Sequence, residues 1–78
     1  MQKLSELKKE QSAKIVSVNG DARFVSRITS IGLTPGCEVV VIKNEKKRPL
    51  LVWARDTMIA LNKKECEQIS VEKIGGAA

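Results

Sequence analysis

The sequence predicts a mostly β (α+β) fold, a small barrel of about five short strands with one inserted helix. Short runs rich in β-branched residues recur between turn residues, at 13–18, 37–43, 49–54, 57–61 and 69–74. One stretch, residues 21–31, instead carries apolar residues at helical spacing. With 78 residues, 42% of them hydrophobic and 29% charged, the chain is expected to form one globular domain over 1–78.

The first half of the chain predicts a strand, a turn and a helix in that order. Residues 4–7 form a short amphipathic opening, strand 13–18 follows, and Asn19-Gly20 marks a turn. Asp21 is the expected N-cap of a helix about ten residues long. Its buried stripe should consist of four apolar residues spaced three or four apart, Phe24, Val25, Ile28 and Ile31.

A tight joint should connect this helix to the next strand. Gly32 stands where a helix C-terminus needs a left-handed residue, and only glycine adopts that conformation cheaply. Leu33 would then contact Ile28, as in a Schellman ending. Pro35 and Gly36 fit the two central positions of a type II turn.

The second half of the chain predicts four strands with short connections. In strand 37–43, both faces carry apolar residues, as in a barrel wall covered outside by a helix. A polar hairpin loop at 44–48, a turn at 55–56 and one helical turn at 62–68 separate the strands. Residues 75–78 are expected to be a flexible tail beyond a core of about 4–73. This order suits an SH3-like barrel, with an OB-like barrel nearly as probable from the pattern alone.

Composition argues against an enzyme and against a built metal site. The chain has no histidine, and so lacks the usual general base at neutral pH and the commonest transition-metal ligand. Cys37 and Cys66 are not a C-x-x-C pair, and Cys66 is expected to be a small buried hydrophobic residue. We therefore expect no resident cofactor, with only weak contacts of surface carboxylates to a metal ion left open.

Charge and aromatic residues define the candidate partner-binding surface. The net charge of +5 arises from 14 basic and 9 acidic residues that are interspersed, so nucleic-acid binding is not expected. Six residues are candidates for partner binding: Arg23, Arg27, Lys46, Lys47, Arg48 and Trp53. The two helix arginines could instead form an ordinary solvated face, or Arg27 could bond the hairpin or a neighbouring carbonyl. Trp53 could be a core residue or an exposed anchor.

Two segments resemble the FeoA family, ferrous iron transport protein A. The stretch "SRITSIGLTPGCEVVVI" is similar to the family signature R-L-x-x-L-G-L-x-P-G, and "IALNKKECEQISV" is similar to its ending A-L-R-x-x-x-A-x-x-I-x-V. The resemblance covers about residues 4–73. Glu10, Arg48 and Asp56 stand where the family often has turn glycines, and Asn62 replaces a frequent arginine.

The resemblance implies a non-catalytic, SH3-like cytoplasmic protein. Such a protein would bind or regulate a membrane ferrous-iron transporter that carries a GTPase domain, and would meet the membrane only by proximity. Similar domains form the C-terminal part of iron-dependent repressors. The alternative is therefore a repressor-type regulatory module or a basic nucleic-acid-binding module. The sequence makes no prediction of oligomeric state.

Overall fold

A computed structural model describes residues 2–74 and contains one antiparallel sheet of six strands. The elements in chain order are β1 (Gln2–Lys3), a 3-10 turn (Leu4–Glu6), β2 (Ser12–Val18), α1 (Ala22–Ser30), β3 (Glu38–Lys43), β4 (Leu50–Ala54), β5 (Thr57–Leu61), α2 (Lys63–Cys66) and β6 (Ile69–Lys73). The strand order is β1-β6-β2-β3-β4-β5. The predicted mostly β fold with an inserted helix is therefore confirmed, and the tail expected at 75–78 lies outside the described residues.

The core consists of side chains from one face of the sheet, together with Leu4 and Leu7 of the N-terminal segment. Val39 and Val41 of β3 are fully buried, whereas Val40 and Ile42 on its other face are only half-buried. That outer face is therefore less covered than the sequence pattern suggested. The buried hydrophobic residues are Leu4, Leu7, Ala13, Ile15, Ile28, Leu33, Cys37, Val39, Val41, Leu50, Val52, Ala54, Leu61, Cys66, Ile69 and Val71.

The α1 helix begins at its predicted cap. The Asp21 Oδ1 atom accepts a hydrogen bond from the Phe24 backbone N–H at 2.8 Å, which satisfies one of the free donors of the first turn. Ile28 is fully buried and Phe24 is half-buried, as the apolar stripe requires. Ile31 departs from the prediction because it lies beyond the last turn as the C-cap residue and remains 39% exposed.

The end of α1 has the predicted Schellman geometry. Gly32 has a φ of +98°, in the region that favours glycine. The Leu33 N–H donates to the Ile28 carbonyl at 3.2 Å, and the Gly32 N–H donates to the Thr29 carbonyl at 3.0 Å. These two bonds are the pair that defines the motif, so the predicted helix ending is confirmed.

The turn that follows leads directly into β3. The Cys37 N–H donates to the Thr34 carbonyl at 2.9 Å, and Gly36 has a φ of +94°. With Pro35 before it, Gly36 occupies the third position of a type II turn as predicted. The Gly36 N–H also donates to the Ile15 carbonyl at 2.7 Å, which attaches the turn to β2.

Long-range hydrogen bonds attach the N-terminal segment to the rest of the fold. β1, which the sequence analysis missed, pairs with β6 through Gln2 and Val71. The Asn44 side-chain amide, at the base of the β3–β4 hairpin, donates to the backbone carbonyl of Leu7. The Lys63 Nζ donates to the Glu45 carbonyl at 2.8 Å, and so α2 holds the same hairpin from another side.

Within residues 2–74, four residues other than glycine occupy left-handed conformations at turns. They are Glu10 with a φ of 71°, Lys47 with 60°, Arg55 with 50° and Asp56 with 62°. Glu10 and Asp56 thus adopt the geometry of the glycines that they replace. In the β3–β4 hairpin the left-handed residue is Lys47 rather than the neighbouring Arg48. Two successive positive φ values at 55–56 make the β4–β5 connection a two-residue type I′ loop.

Candidate partner-binding surfaces

The two arginines of α1 differ in their contacts. Arg27 forms an ion pair with Glu65 of α2, and its guanidinium lies 5.8 Å from the centre of the Phe24 ring. Arg23 is exposed, and no carboxylate among residues 2–74 lies within ion-pair distance of it. Arg27 therefore has an internal partner, but it is the Glu65 carboxylate of α2 rather than the hairpin or a neighbouring carbonyl. Arg23 remains exposed.

Glu65 links the two helices. Its Oε1 atom accepts a hydrogen bond from the Asn62 N–H at 3.0 Å and so caps α2, while its Oε2 atom contacts Arg27. Only 18% of the Glu65 side chain is exposed, so this pair is better shielded than an ordinary surface pair. The pair could not be predicted from the sequence because its two residues are far apart in the chain.

A second internal contact reaches α1 from the β4–β5 loop. The Arg55 Nε donates to the Gly32 carbonyl at 3.1 Å. This carbonyl lies just beyond the helix, where the backbone has unsatisfied acceptors and the helix dipole favours a cation. The loop therefore supports the helix ending, a role that the sequence analysis did not assign to Arg55.

The β3–β4 hairpin tip is basic and exposed. Lys46, Lys47 and Arg48 are all exposed, and Arg48 lies 3.9 Å from the Glu45 carboxylate. Both side chains of that pair are more than half exposed, and so the pair contributes little to stability. Lys46, Lys47 and the weakly paired Arg48 therefore form an exposed cationic surface.

Trp53 lies on the outer face of the sheet and is therefore not a core residue, while its role as an anchor stays a prediction. It is 42% exposed, while its neighbours Val52 and Ala54 are buried. Its cross-strand partners are Val40 on β3 and Met58 on β5, and Met58 is 54% exposed. We call Val40, Trp53 and Met58 the outer apolar row. This pair could have been predicted from the sequence, because a two-residue loop at 55–56 places Met58 opposite Trp53.

A shallow groove of about 180 Å³ lies on the same face, beside the outer apolar row. Its floor includes Leu51 and its partner Ala60, which lie two pairs further from the β4–β5 loop than Trp53 and Met58. The groove is lined by Lys43, Glu45, Arg48, Pro49, Leu51 and Ala60. The fold thus brings the candidate residues Arg48 and Trp53 to one face, whereas Arg23 and Arg27 belong to α1.

Both cysteines are free thiols in the core. Cys66 is fully buried, as predicted, and burial raises the pKa of its thiol from 9.0 to about 12. A buried thiol with a raised pKa is a poor nucleophile and a poor metal ligand at neutral pH. Residues 2–74 contain no group of three or more His, Cys, Asp or Glu side chains placed to hold a metal ion. No helix in that range is both long and apolar enough to cross a bilayer.

Solved structures of similar fold come from FeoA proteins and from repressors. The FeoA protein from Chlorobium tepidum is 27% identical with a TM-score of 0.88, over 99% of this chain and 74% of that one. FeoA from Stenotrophomonas maltophilia, solved with zinc, is 28% identical with a TM-score of 0.80, over 92% and 91% of the two chains. It is described as a prokaryotic SH3 domain protein and a candidate ferrous iron transport activating factor.

The repressor likeness concerns the fold alone. The IdeR protein of T. acidophilum is 16% identical with a TM-score of 0.81, over 92% of this chain but 33% of that one. No curated protein sequence matches the chain significantly. The FeoA domain family model, in contrast, matches residues 2–73. The chain therefore belongs to the FeoA domain family, which is associated with ferrous iron transport.

Proposed function

We propose that this protein is a cytoplasmic, non-catalytic accessory protein of ferrous iron uptake. It would act by binding the cytoplasmic part of a membrane ferrous-iron transporter that carries a GTPase domain. The observation that carries this proposal is the FeoA family match over residues 2–73. The description of the Stenotrophomonas relative as a candidate transport activating factor supports the same role.

Two exposed surfaces support a binding role. The hairpin tip and Arg23 present cations that can meet an acidic partner surface, and the Arg23 guanidinium can take a carboxylate with two hydrogen bonds. Trp53 is exposed on a rigid strand, and tryptophan is among the residues that most often dominate binding energy at interfaces. Arg27 is less suited to direct binding, because its guanidinium is already paired with Glu65.

Titration calorimetry with the purified cytoplasmic domain of the transporter tests the proposal. The titration is run without nucleotide, with GDP and with a non-hydrolysable GTP analogue. We expect saturable binding in at least one state, weakened by Arg23→Glu. Lys14→Glu makes the same charge change on β2, away from these surfaces, and controls for net charge. Absence of binding in all three nucleotide states would refute the proposed function.

We also propose that binding needs no resident metal. The support is the chemistry of the two thiols, which burial keeps in the core, and the scattered placement of the surface carboxylates. Since the Stenotrophomonas relative was solved with zinc, the titration is repeated with added zinc and with a chelator. Equal affinity in both supports the proposal, and binding that is lost with the chelator contradicts it.

The second candidate is a repressor-type or nucleic-acid-binding module. It is favoured by the shared fold with IdeR and by the net charge of +5. Electrophoretic mobility shifts with duplex DNA at two salt concentrations distinguish it, because such binding weakens steeply with salt. Salt-sensitive DNA binding without transporter binding would favour this second candidate.

A further inference from the structure

We propose that the free edge of β5 accepts an extended segment of the partner protein as an additional antiparallel strand. The added segment carries acidic residues at the end beside the β3–β4 hairpin tip and apolar residues beside Met58. This inference rests on the proposed function, since it names the surface through which the accessory protein would bind. Four observations support it, taken from the hydrogen bonding, the sequence of the edge, the outer face and the charge.

The first observation is that β5 has an unpaired edge. It is the last strand in the sheet order, and within residues 2–74 it pairs with β4 alone. The two-residue loop closes on a hydrogen-bonded pair, Ala54 and Thr57, and hydrogen-bonded and non-hydrogen-bonded pairs then alternate. The N–H and C=O groups of Met58 and Ala60 consequently point away from β4. They form a row of free donors and acceptors, the requirement for strand addition.

The second observation is that the β5 edge carries none of the usual protection. Edge strands of soluble proteins are commonly very short or carry Lys, Pro or a bulge. The opposite edge follows this rule, because β1 has two residues and one of them is Lys3. β5 is five residues long, "TMIAL", with no charge and no proline. The difference between the two edges indicates that β5 is kept available for a partner strand.

The third observation is the apolar surface beside this edge. Met58 is 54% exposed and lies next to Trp53, which is 42% exposed. Residues on one face of an added strand would lie beside Met58 at cross-strand distance. Apolar side chains there would cover Met58 and extend over Trp53. Backbone bonds would then supply affinity and this contact would supply selectivity.

The fourth observation is the charge at one end of the edge. Ala60 pairs with Leu51, which in turn pairs with Lys43 at the base of the basic hairpin. Residues 43–48 contain four cations and one acid, Glu45. This placement attracts acidic residues at the Ala60 end of an added strand. It also disfavours a second copy of this chain as the occupant, because each copy carries a net charge of +5.

A pair of substitutions at Ala60 isolates the backbone donor. Ala60→Pro removes the outward N–H and should keep the bonds to β4, since Ala60 lies in a non-hydrogen-bonded pair. Ala60→Val changes the same side chain and retains the N–H. Affinity for the cytoplasmic domain of the transporter is measured for both by calorimetry. We expect the proline variant to bind at least tenfold more weakly than the valine variant, and binding to weaken as salt is raised.

Amide hydrogen exchange gives a second readout that needs no variant. In the free protein we expect the Met58 and Ala60 amides to exchange at least tenfold faster than the Ile59 amide, which faces β4. Saturation with the transporter domain should slow both to a rate near that of Ile59. This pattern reports a strand on the edge and would not arise from a contact through side chains alone.

The outcomes separate this inference from the proposed function. Absence of binding by the wild-type chain refutes the proposed function and the inference that rests on it. Binding with equal affinities of the two Ala60 variants and unchanged exchange of Met58 overturns the inference alone. Sedimentation that shows a dimer of the wild-type chain, lost in Ala60→Pro, would place a second copy on the edge and would also overturn it.

Discussion

The helix joint offers a substitution whose effect can be divided into two parts. In Gly32→Ala the new Cβ must tolerate a φ of +98°, and it would lie 3.0 Å from the Arg55 Cδ. The Arg55 side chain must then move, although its Nε donates to the Gly32 carbonyl. Gly36→Ala is the matched control, because its φ is +94° and nothing lies within 4 Å of the new Cβ. The control therefore carries the backbone strain without the contact.

The two parts have different magnitudes. A left-handed conformation costs an L-residue roughly 1–2 kcal/mol, partly offset by the lower entropy of unfolded alanine. Loss of a hydrogen bond at an exposed site adds on the order of 0.5–1 kcal/mol. We therefore expect Gly36→Ala to lower the free energy of unfolding by about 1 kcal/mol and Gly32→Ala by about 2 kcal/mol. For a domain of this size, that second value lowers Tm by about 8–16 °C.

Urea denaturation followed by circular dichroism measures both variants, and a double-mutant cycle with Arg55→Ala isolates the contact. In the Arg55→Ala background we expect Gly32→Ala and Gly36→Ala to become nearly equal. Equal losses in the wild-type background would show that Arg55 does not support the joint. An unchanged Tm for both variants would refute the assignment of left-handed conformations to these residues.

Three further predictions concern the core and the helix ends. The pKa of the Cys66 thiol is 9.0 in the unfolded chain and about 12 in the folded one, so the free energy of unfolding should fall as pH rises between these values. Cys66→Ala should start about 1 kcal/mol less stable, but its urea midpoint should fall less steeply with pH. Equal falls of the two urea midpoints with pH would contradict this prediction. Arg27→Ala, which removes the pair with Glu65, should lower the free energy of unfolding by about 0.5–1 kcal/mol, and Arg23→Ala by less than about 0.5 kcal/mol. A larger loss in Arg23→Ala by the same assay would contradict this order. Asp21→Ala should cost about 1 kcal/mol through the lost N-cap, and an unchanged midpoint would refute that bond's contribution.

The features that could be predicted from the sequence are those fixed by neighbouring residues. The cap at Asp21, the ending at Gly32 and the turn at Pro35-Gly36 each depend on a few consecutive residues whose conformational preferences agree. The same local rules predicted the strands β2 to β6, because β-branched runs and turn residues alternate along the chain. The helix and its joint to β3 are therefore correctly placed.

The features that escaped prediction depend on residues far apart in the chain. β1 has two residues and no pattern of its own, and only its pairing with β6 makes it a strand. The ion pair of Arg27 with Glu65 could be predicted only if the position of α2 beside α1 were known. The hydrogen bond of Arg55 likewise depends on where the β4–β5 loop lies relative to α1, which the loop's own sequence does not indicate. Trp53 could be placed only once the register fixed which side of β4 faces outward.

The left-handed turn residues have a consequence for how this chain could be altered. All four, Glu10, Lys47, Arg55 and Asp56, are charged, although glycine adopts such conformations with less strain. Total stability for a domain of this length is only about 0.05–0.15 kcal/mol per residue, so four strained turns are a substantial fraction of it. Glu10→Gly or Lys47→Gly would raise the free energy of unfolding and would also change the pattern of surface charge. These turns thus carry charge at positions where the backbone conformation alone favours glycine. Substitutions that aim to raise thermal stability should therefore be made at these turns first.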